Sequence, residues 1–177
     1  MIKKKVFLSL IMILFFLSSE RSKNDFLLFS DIGDQLEIEF IKHGELYMKN
    51  ENLIIQKIDI EFANNDIEKK NGLTYRSFLK ENSGMLFFLK NKEEAQQIIN
   101  MKDMRIPLDI LYIDNNNTVI FINKYVYPMM DYLMEIEGRD YYSNVKYILE
   151  INSGMSDKWG VKKGITKIIF SLKKKDI

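Results

Sequence analysis

The sequence predicts a mainly β, α+β domain: a small β-barrel-like or strongly curved sheet of about seven to eight short strands with two or three short helices. Three observations point there. Short apolar segments, some strictly alternating with polar residues, recur between turn residues, as at Leu53–Phe62 and Leu108–Ile113. Segments with helix-capping signals are few and brief. Hydrophobic residues make up 46% and charged residues 29% of the 177 residues, enough apolar material for one packed core.

The chain opens with a leader. Residues 1–19, MIKKKVFLSLIMILFFLSS, set Lys3, Lys4 and Lys5 ahead of Val6–Leu17, a run that is apolar except for Ser9. The run is short for a spanning helix, which needs about 20 residues. Two readings stand: a cleaved secretory signal ending near Ser18-Ser19, and an uncleaved N-terminal anchor. Both place the remainder in the periplasm or outside the cell, and only the anchor attaches it to a membrane. Residues 20–35 read as an arm or tether, 36–172 as one β-rich domain, and 173–177 as a basic tail.

Within the domain, Leu36, Ile38 and Phe40 alternate with Glu37 and Glu39, the pattern of a half-buried strand. His43-Gly44 reads as an exposed turn, with Leu46–Met48 returning as a second strand. Leu53–Phe62 is a third, its second half alternating cleanly. Asn65 then caps a short helix, and Glu68 three residues on completes a capping box. Lys69 and Lys70 fall in its last turn, where the helix dipole favours cations, and Gly72 follows as the left-handed closing residue.

Ser83-Gly84 reads as a turn before a strand at Met85–Leu89. Residues 92–99 are helix-tolerant and fit one or two helical turns or a loop. Pro107 lacks a backbone donor and so opens the next strand, Leu108–Ile113, rather than sitting inside it. Asp114–Asn117 forms a hairpin turn into Thr118–Val126, and the near-continuous apolar runs place this hairpin at the centre, covered on both faces. Residues 127–144 form a long irregular excursion of the kind that often carries function. Val145–Ile151 is a strand, Asn152 or Ser153 caps a turn or two of helix closed by Gly160, Gly164 makes a turn, and Ile165–Leu172 is the last strand.

Composition narrows the chemistry. Cysteine is absent, which excludes disulfides, thiolate metal sites and thiol nucleophiles. The single histidine, His43, argues against a zinc site or a histidine-based triad. Net charge is +1, and loss of the leader would leave 23 basic against 25 acidic residues, so charge offers no argument for nucleic acid.

Four blocks in order carry a family resemblance: Ile60–Asp66 with the helix and Gly72-Leu73-Thr74-Tyr75-Arg76; Ser83–Phe87; Met101-Lys102 with Ile106–Asp114; and Tyr147–Gly154 through Gly160 and Gly164. Over about residues 54–172 the chain resembles the DUF192 (UPF0127) family of small, often exported proteins. The resemblance implies a compact β-barrel-like fold with short helices and an unassigned activity. Lys69 stands where the family usually carries arginine. Ile99–Met104 replaces the family's FWMKNT and so lacks its aromatic pair and its neutral amide. Gly164-Ile165 replaces a GD pair.

The candidate ligand-binding residues are Arg76, Met101, Lys102, Asp103, Asp109, Glu150 and Asn152, which would gather both charge signs on one rim if their loops converge. The competing reading is a structural network in which Asp109 and Glu150 accept from Arg76, Lys102 or backbone donors. The first functional expectation is an exported, non-catalytic domain that binds a small ligand or an envelope protein at this rim. No cofactor and no nucleic-acid partner are expected. The alternatives are an enzyme acting on envelope carbohydrate or peptide through Asp109 and Glu150, and Cu(I) handling by the thioethers of Met129, Met130 and Met134. Whether the protein is an enzyme stays open at this point.

Overall fold

The computed structural model describes residues 38–91, 101–129 and 144–173. The chain divides into two compact units, Met1–Ile38 and Glu39–Ile177, and every described helix and strand lies in the second. Seven strands form one sheet: β1 (Gly44–Asn50), β2 (Leu53–Ala63), β3 (Ser83–Phe88), β4 (Leu108–Asp114), β5 (Val119–Val126), β6 (Val145–Asn152) and β7 (Thr166–Leu172). Among the described residues two short helices accompany them, α1 (Asp66–Asn71) and α2 (Met155–Lys158).

The spatial order is β5-β4-β6-β3-β2-β1-β7. All neighbours are antiparallel except β2 and β3, whose parallel crossover carries α1 and the loop that follows it. The two edges approach each other at a single bridge, Thr118 to Lys167, reinforced by Ile168 N–H donating to Asn117 O at 2.9 Å and Gly164 N–H to Val119 O at 2.8 Å. The sheet is therefore strongly curved, and the barrel that the sequence left open as an alternative does not close.

Alternation along the strands gives the sheet two apolar faces. One face draws on all seven strands: Leu46, Met48, Ile58, Ile60, Leu86, Leu111, Ile113, Val119, Leu149, Ile151 and Ile168 are buried there, plugged by Trp159 and Val161. This is the inner face of the curl. The outer face buries Ala63, Met85, Phe87, Leu108, Ile110, Tyr112, Val126 and Ile148. Its cover comes from loop residues Leu73 and Leu79 after α1, and from Met101, Met104 and Ile106 before β4.

Most expected elements are present. The capping box of α1 forms as the sequence predicts, with Glu68 N–H donating to Asn65 Oδ1 at 2.9 Å and the Glu68 carboxylate accepting from the Asn65 N–H. Gly72 follows at φ +48, and Pro107 precedes β4 directly.

Five expectations are corrected. Ile38–His43 is not a strand; β1 begins at Gly44, and His43 is half-buried, its Nδ1 accepting from Phe62 N–H at 2.9 Å. Ser83-Gly84 is not a turn but the start of β3. Gly84 is needed there because a Cβ would meet the Glu150 carbonyl oxygen at 2.8 Å, so this glycine serves close strand approach. The β4–β5 hairpin is not central: β4 is buried from Leu108 to Ile113, but β5 is an edge strand with a half-exposed middle. The N-cap of α2 is Gly154, at φ +83, and neither Asn152 nor Ser153 caps the helix. Finally, β7 starts at Thr166. Residues 92–99, most of 127–144, the leader, residues 20–35 and all of the tail beyond Lys173 lie outside the described residues.

Candidate functional site

The β4–β6 register decides which candidate side chains share a face. Asp109 pairs with Ile151, an inner-face residue, whereas Ile110 pairs with Glu150. Paired residues project to the same side and neighbours along a strand to opposite sides. Asp109 therefore points inward and Glu150 outward. The structure does not bring these two carboxylates together, so no acid–base pair forms between them.

Asp109 is fully buried and fully engaged. Its Oδ1 accepts from Tyr125 N–H at 2.9 Å. Its Oδ2 accepts from Ser156 N–H at 3.0 Å and from Ser156 Oγ at 2.6 Å. The β4–β5 register shifts opposite Asp109, and Tyr125 sits at φ +56, so the carboxylate holds a bulge in place. Next to it, Asp157 takes Lys124 Nζ and the Tyr125 hydroxyl, the latter at 3.0 Å. Those two hydrogen bonds, Lys124 first, hold the Asp157 carboxyl below its ordinary value. Two carboxylates thus tie α2 to the end of β5.

The outer face holds a different arrangement. Glu61 pairs with Met85, and Met85 pairs with Glu150, so the three form a row across β2, β3 and β6. Two strand spacings put the Glu61 and Glu150 backbones about 10 Å apart. The loop after α1 crosses above this row. At one end, Arg76 Nη2 lies 2.6 Å from Glu61 Oε2. Both side chains are buried, and Glu61 Oε1 accepts from Ile41 N–H at 2.6 Å. Beyond this ion pair, neither Glu61 Oε2 nor Arg76 Nε has a hydrogen-bond partner among the described residues. At the other end of the crossing, Asn152 Nδ2 donates to Leu79 O at 2.6 Å.

Tyr75, at φ +64, turns the chain so that its own ring stays exposed while Arg76 enters the face. A left-handed non-glycine residue costs about 1 kcal/mol. Tyr75 N–H donates to Asp103 O at 3.2 Å, and Arg105 lies 6.0 Å from the Tyr75 ring centre, so the two covering loops brace each other.

Glu150 lies beneath this cover. It is 4% exposed, and its carboxyl has no hydrogen-bond or ionic partner among the described residues. Burial alone pushes it up to about 8. Its surroundings are Met85, Ile110 and Ile148, with Phe87 and Tyr112 in the next row.

The seven candidates therefore separate. Arg76, Glu150 and Asn152 lie on or against the outer face. Met101 is buried in the same apolar cluster, its carbonyl accepting from Met104 N–H and Met129 N–H. Lys102 and Asp103 are exposed on the covering loop. Asp109 belongs to the opposite face. Of the three methionines suggested for Cu(I), Met129 is 82% exposed, and Met130 and Met134 lie outside the described residues. Among the described residues no three His, Cys, Asp or Glu side chains could hold a metal ion.

Two contributors were not foreseen. Glu61 sits at a polar position of an alternating strand, a pattern that reads as solvent-facing; only the loop folded over it buries it. Ser156 carries no signal beyond its place near a helix start.

A family model for DUF192, an uncharacterized ACR, matches residues 47–168, well over half of the chain. No curated protein matches. Two solved structures share the fold. One, from Sinorhizobium meliloti 1021, carries the provisional name of a transcription regulator; it is 21% identical, with a TM-score of 0.60 over 75% of this chain and 98% of that one. The other, from Novosphingobium aromaticivorans DSM 12444, is a protein of unknown function; it is 20% identical, with a TM-score of 0.55 over 71% of this chain and 83% of that one.

The two carboxylates should respond differently to substitution. Asp109→Ala removes three charge-assisted hydrogen bonds and leaves buried donors unmet, costing on the order of 3 kcal/mol. Thermal unfolding should show a Tm lower by roughly 10 °C. For Glu150 the expected effect depends on pH. Its folded value of about 8 lies above the ordinary 4.5, so below pH 4.5 both states are protonated and the residue is neutral to stability. As pH rises toward 8 the unfolded chain releases this proton first, and stability falls by on the order of 4 kcal/mol. Glu150→Gln removes that slope. Urea unfolding at pH 4.5 and pH 8 should show the variant gaining a few kcal/mol on the native chain between the two; parallel curves would contradict the assignment.

Proposed function

The chain belongs to the DUF192 family, whose activity is unassigned, and on that premise we propose that it is an exported, non-catalytic domain that binds a small ligand at the outer face around Glu150 and Arg76. The observation that carries this reading is the buried Glu150 carboxyl with no partner among the described residues. An unmet buried polar group costs about 1–3 kcal/mol, and native structures seldom keep one without a use. A ligand that donates to Glu150 recovers that cost on binding. The apolar neighbours Met85, Ile110 and Ile148 supply contact area for its body.

Export rests on the leader: the lysines at 3–5 and the apolar run Val6–Leu17. A binding role is favoured over hydrolysis by two carboxylates because Asp109 is committed to Tyr125 and Ser156 on the other face.

The test is a thermal-shift screen of the full chain against a broad metabolite and envelope-fragment library. At least one compound should raise Tm by several degrees when present far above its Kd. Its effect should disappear in Glu150→Gln and persist in Asp103→Ala, which alters only an exposed side chain. A library without any stabiliser, or one whose stabilisers act equally on Glu150→Gln, would refute the proposal. Conversion of a stabilising compound into product would replace binding with catalysis at this residue.

A further inference from the structure

We propose that the ligand of the outer face is a primary amine that also carries a hydrogen-bond acceptor, as free amino acids and the N-terminal residues of peptides do, with its ammonium on Glu150 and its acceptor on the Nε–H of Arg76. The inference rests on the binding role argued above and names the chemistry of what binds. Its basis is the charge balance of the row Glu61, Met85, Glu150 beneath the loop that bears Arg76.

Arg76 and Glu61 neutralise each other at 2.6 Å. Among the described residues, ionised Glu150 is then the uncompensated charge of the face, and it is negative. An anionic ligand would meet two carboxylates and a guanidinium already paired. A cationic one supplies the missing partner. Arg76 Nε–H is a buried donor with no acceptor among the described residues, so the same ligand needs an acceptor atom to satisfy it. Among the described residues the covered apolar face thus presents unmet groups of both kinds, the Glu150 and Glu61 Oε2 acceptors and the Arg76 Nε–H donor. A bipolar ligand with an apolar body matches all three features.

Among the described residues, no lysine or arginine on the elements packed over this face pairs with Glu150. Lys69 of α1 is buried, Tyr112 lies in the next row, and Lys102, Asp103 and Arg105 are exposed. Burial favours the protonated Glu150 near neutrality, so docking of an ammonium must expel that proton.

The experiment uses the full chain and four compounds: leucine, leucylglycine, N-acetylleucine and isopentylamine. Thermal shift and titration calorimetry should show leucine or leucylglycine binding, isopentylamine binding at least tenfold more weakly, and N-acetylleucine not binding. Glu150→Gln should abolish the binding. Calorimetry at pH 7 in buffers of different ionisation enthalpy should register release of about one proton per amine bound, turning to net proton uptake by pH 9.5, where Glu150 is already ionised and the free amine must be protonated to dock. Equal binding of N-acetylleucine, amine binding undiminished in Glu150→Gln, or a heat independent of buffer at pH 7 would each overturn the amine assignment. The binding role would survive those outcomes if another compound class stabilised the chain through Glu150. If neither these four compounds nor any other class binds, both readings fall.

Discussion

Two-residue periodicity across the β4–β6 pairing governs the rest of this structure. With Leu111 opposite Leu149 on the inner face, Asp109 must also turn inward and Glu150 must turn outward. The inner face then gathers apolar side chains from all seven strands, and the curl of the sheet encloses them. The outer face is also apolar, so it cannot be left to water, and the loops at 72–80 and 101–107 fold over it. That cover buries whatever polar groups stand beneath it. Glu61, Arg76 and Glu150 are buried by this consequence of topology.

Their energetics differ sharply. Asp109 has three donors from two elements and serves as a fastening between β5 and α2. Glu61 and Arg76 have each other, plus the Ile41 N–H, so removing either one would strand a charge in an apolar layer. Glu150 has none of these compensations among the described residues. Among the described residues, Asp109 and Glu61 each have a charged or hydrogen-bonding partner and Glu150 has none, which concentrates the local inconsistency where function is to be sought.

The strands and α1 were legible in the sequence because each depends on local signals: alternation, apolar runs, a capping box, a proline without a donor. The capping box at Asn65 and Glu68 needs nothing beyond four residues, and it forms. The composition of the site was legible in part. Arg76, Glu150 and Asn152 were named from ordered blocks and do lie on or against one face. What the sequence does not encode locally is parity. Leu108–Ile113 is apolar on both faces apart from Asp109, so it cannot say which way Asp109 points; only its register with β6 does. The same reason hid Glu61, whose alternating strand promises a solvent-facing carboxylate until a loop far along the chain covers it. Gly84 was misread because glycine marks turns and close strand approach alike, and only the Glu150 carbonyl opposite distinguishes them.

The most direct test of this account is the titration of the Glu150 carboxyl itself, followed by carbon-13 NMR on the folded chain with Glu150→Gln to assign the signal. The account predicts one glutamate carboxyl with a midpoint near pH 8 that is missing from the variant. A Glu150 signal that titrates below pH 5 would mean that the group is solvated or paired, and the outer-face site would be lost with it.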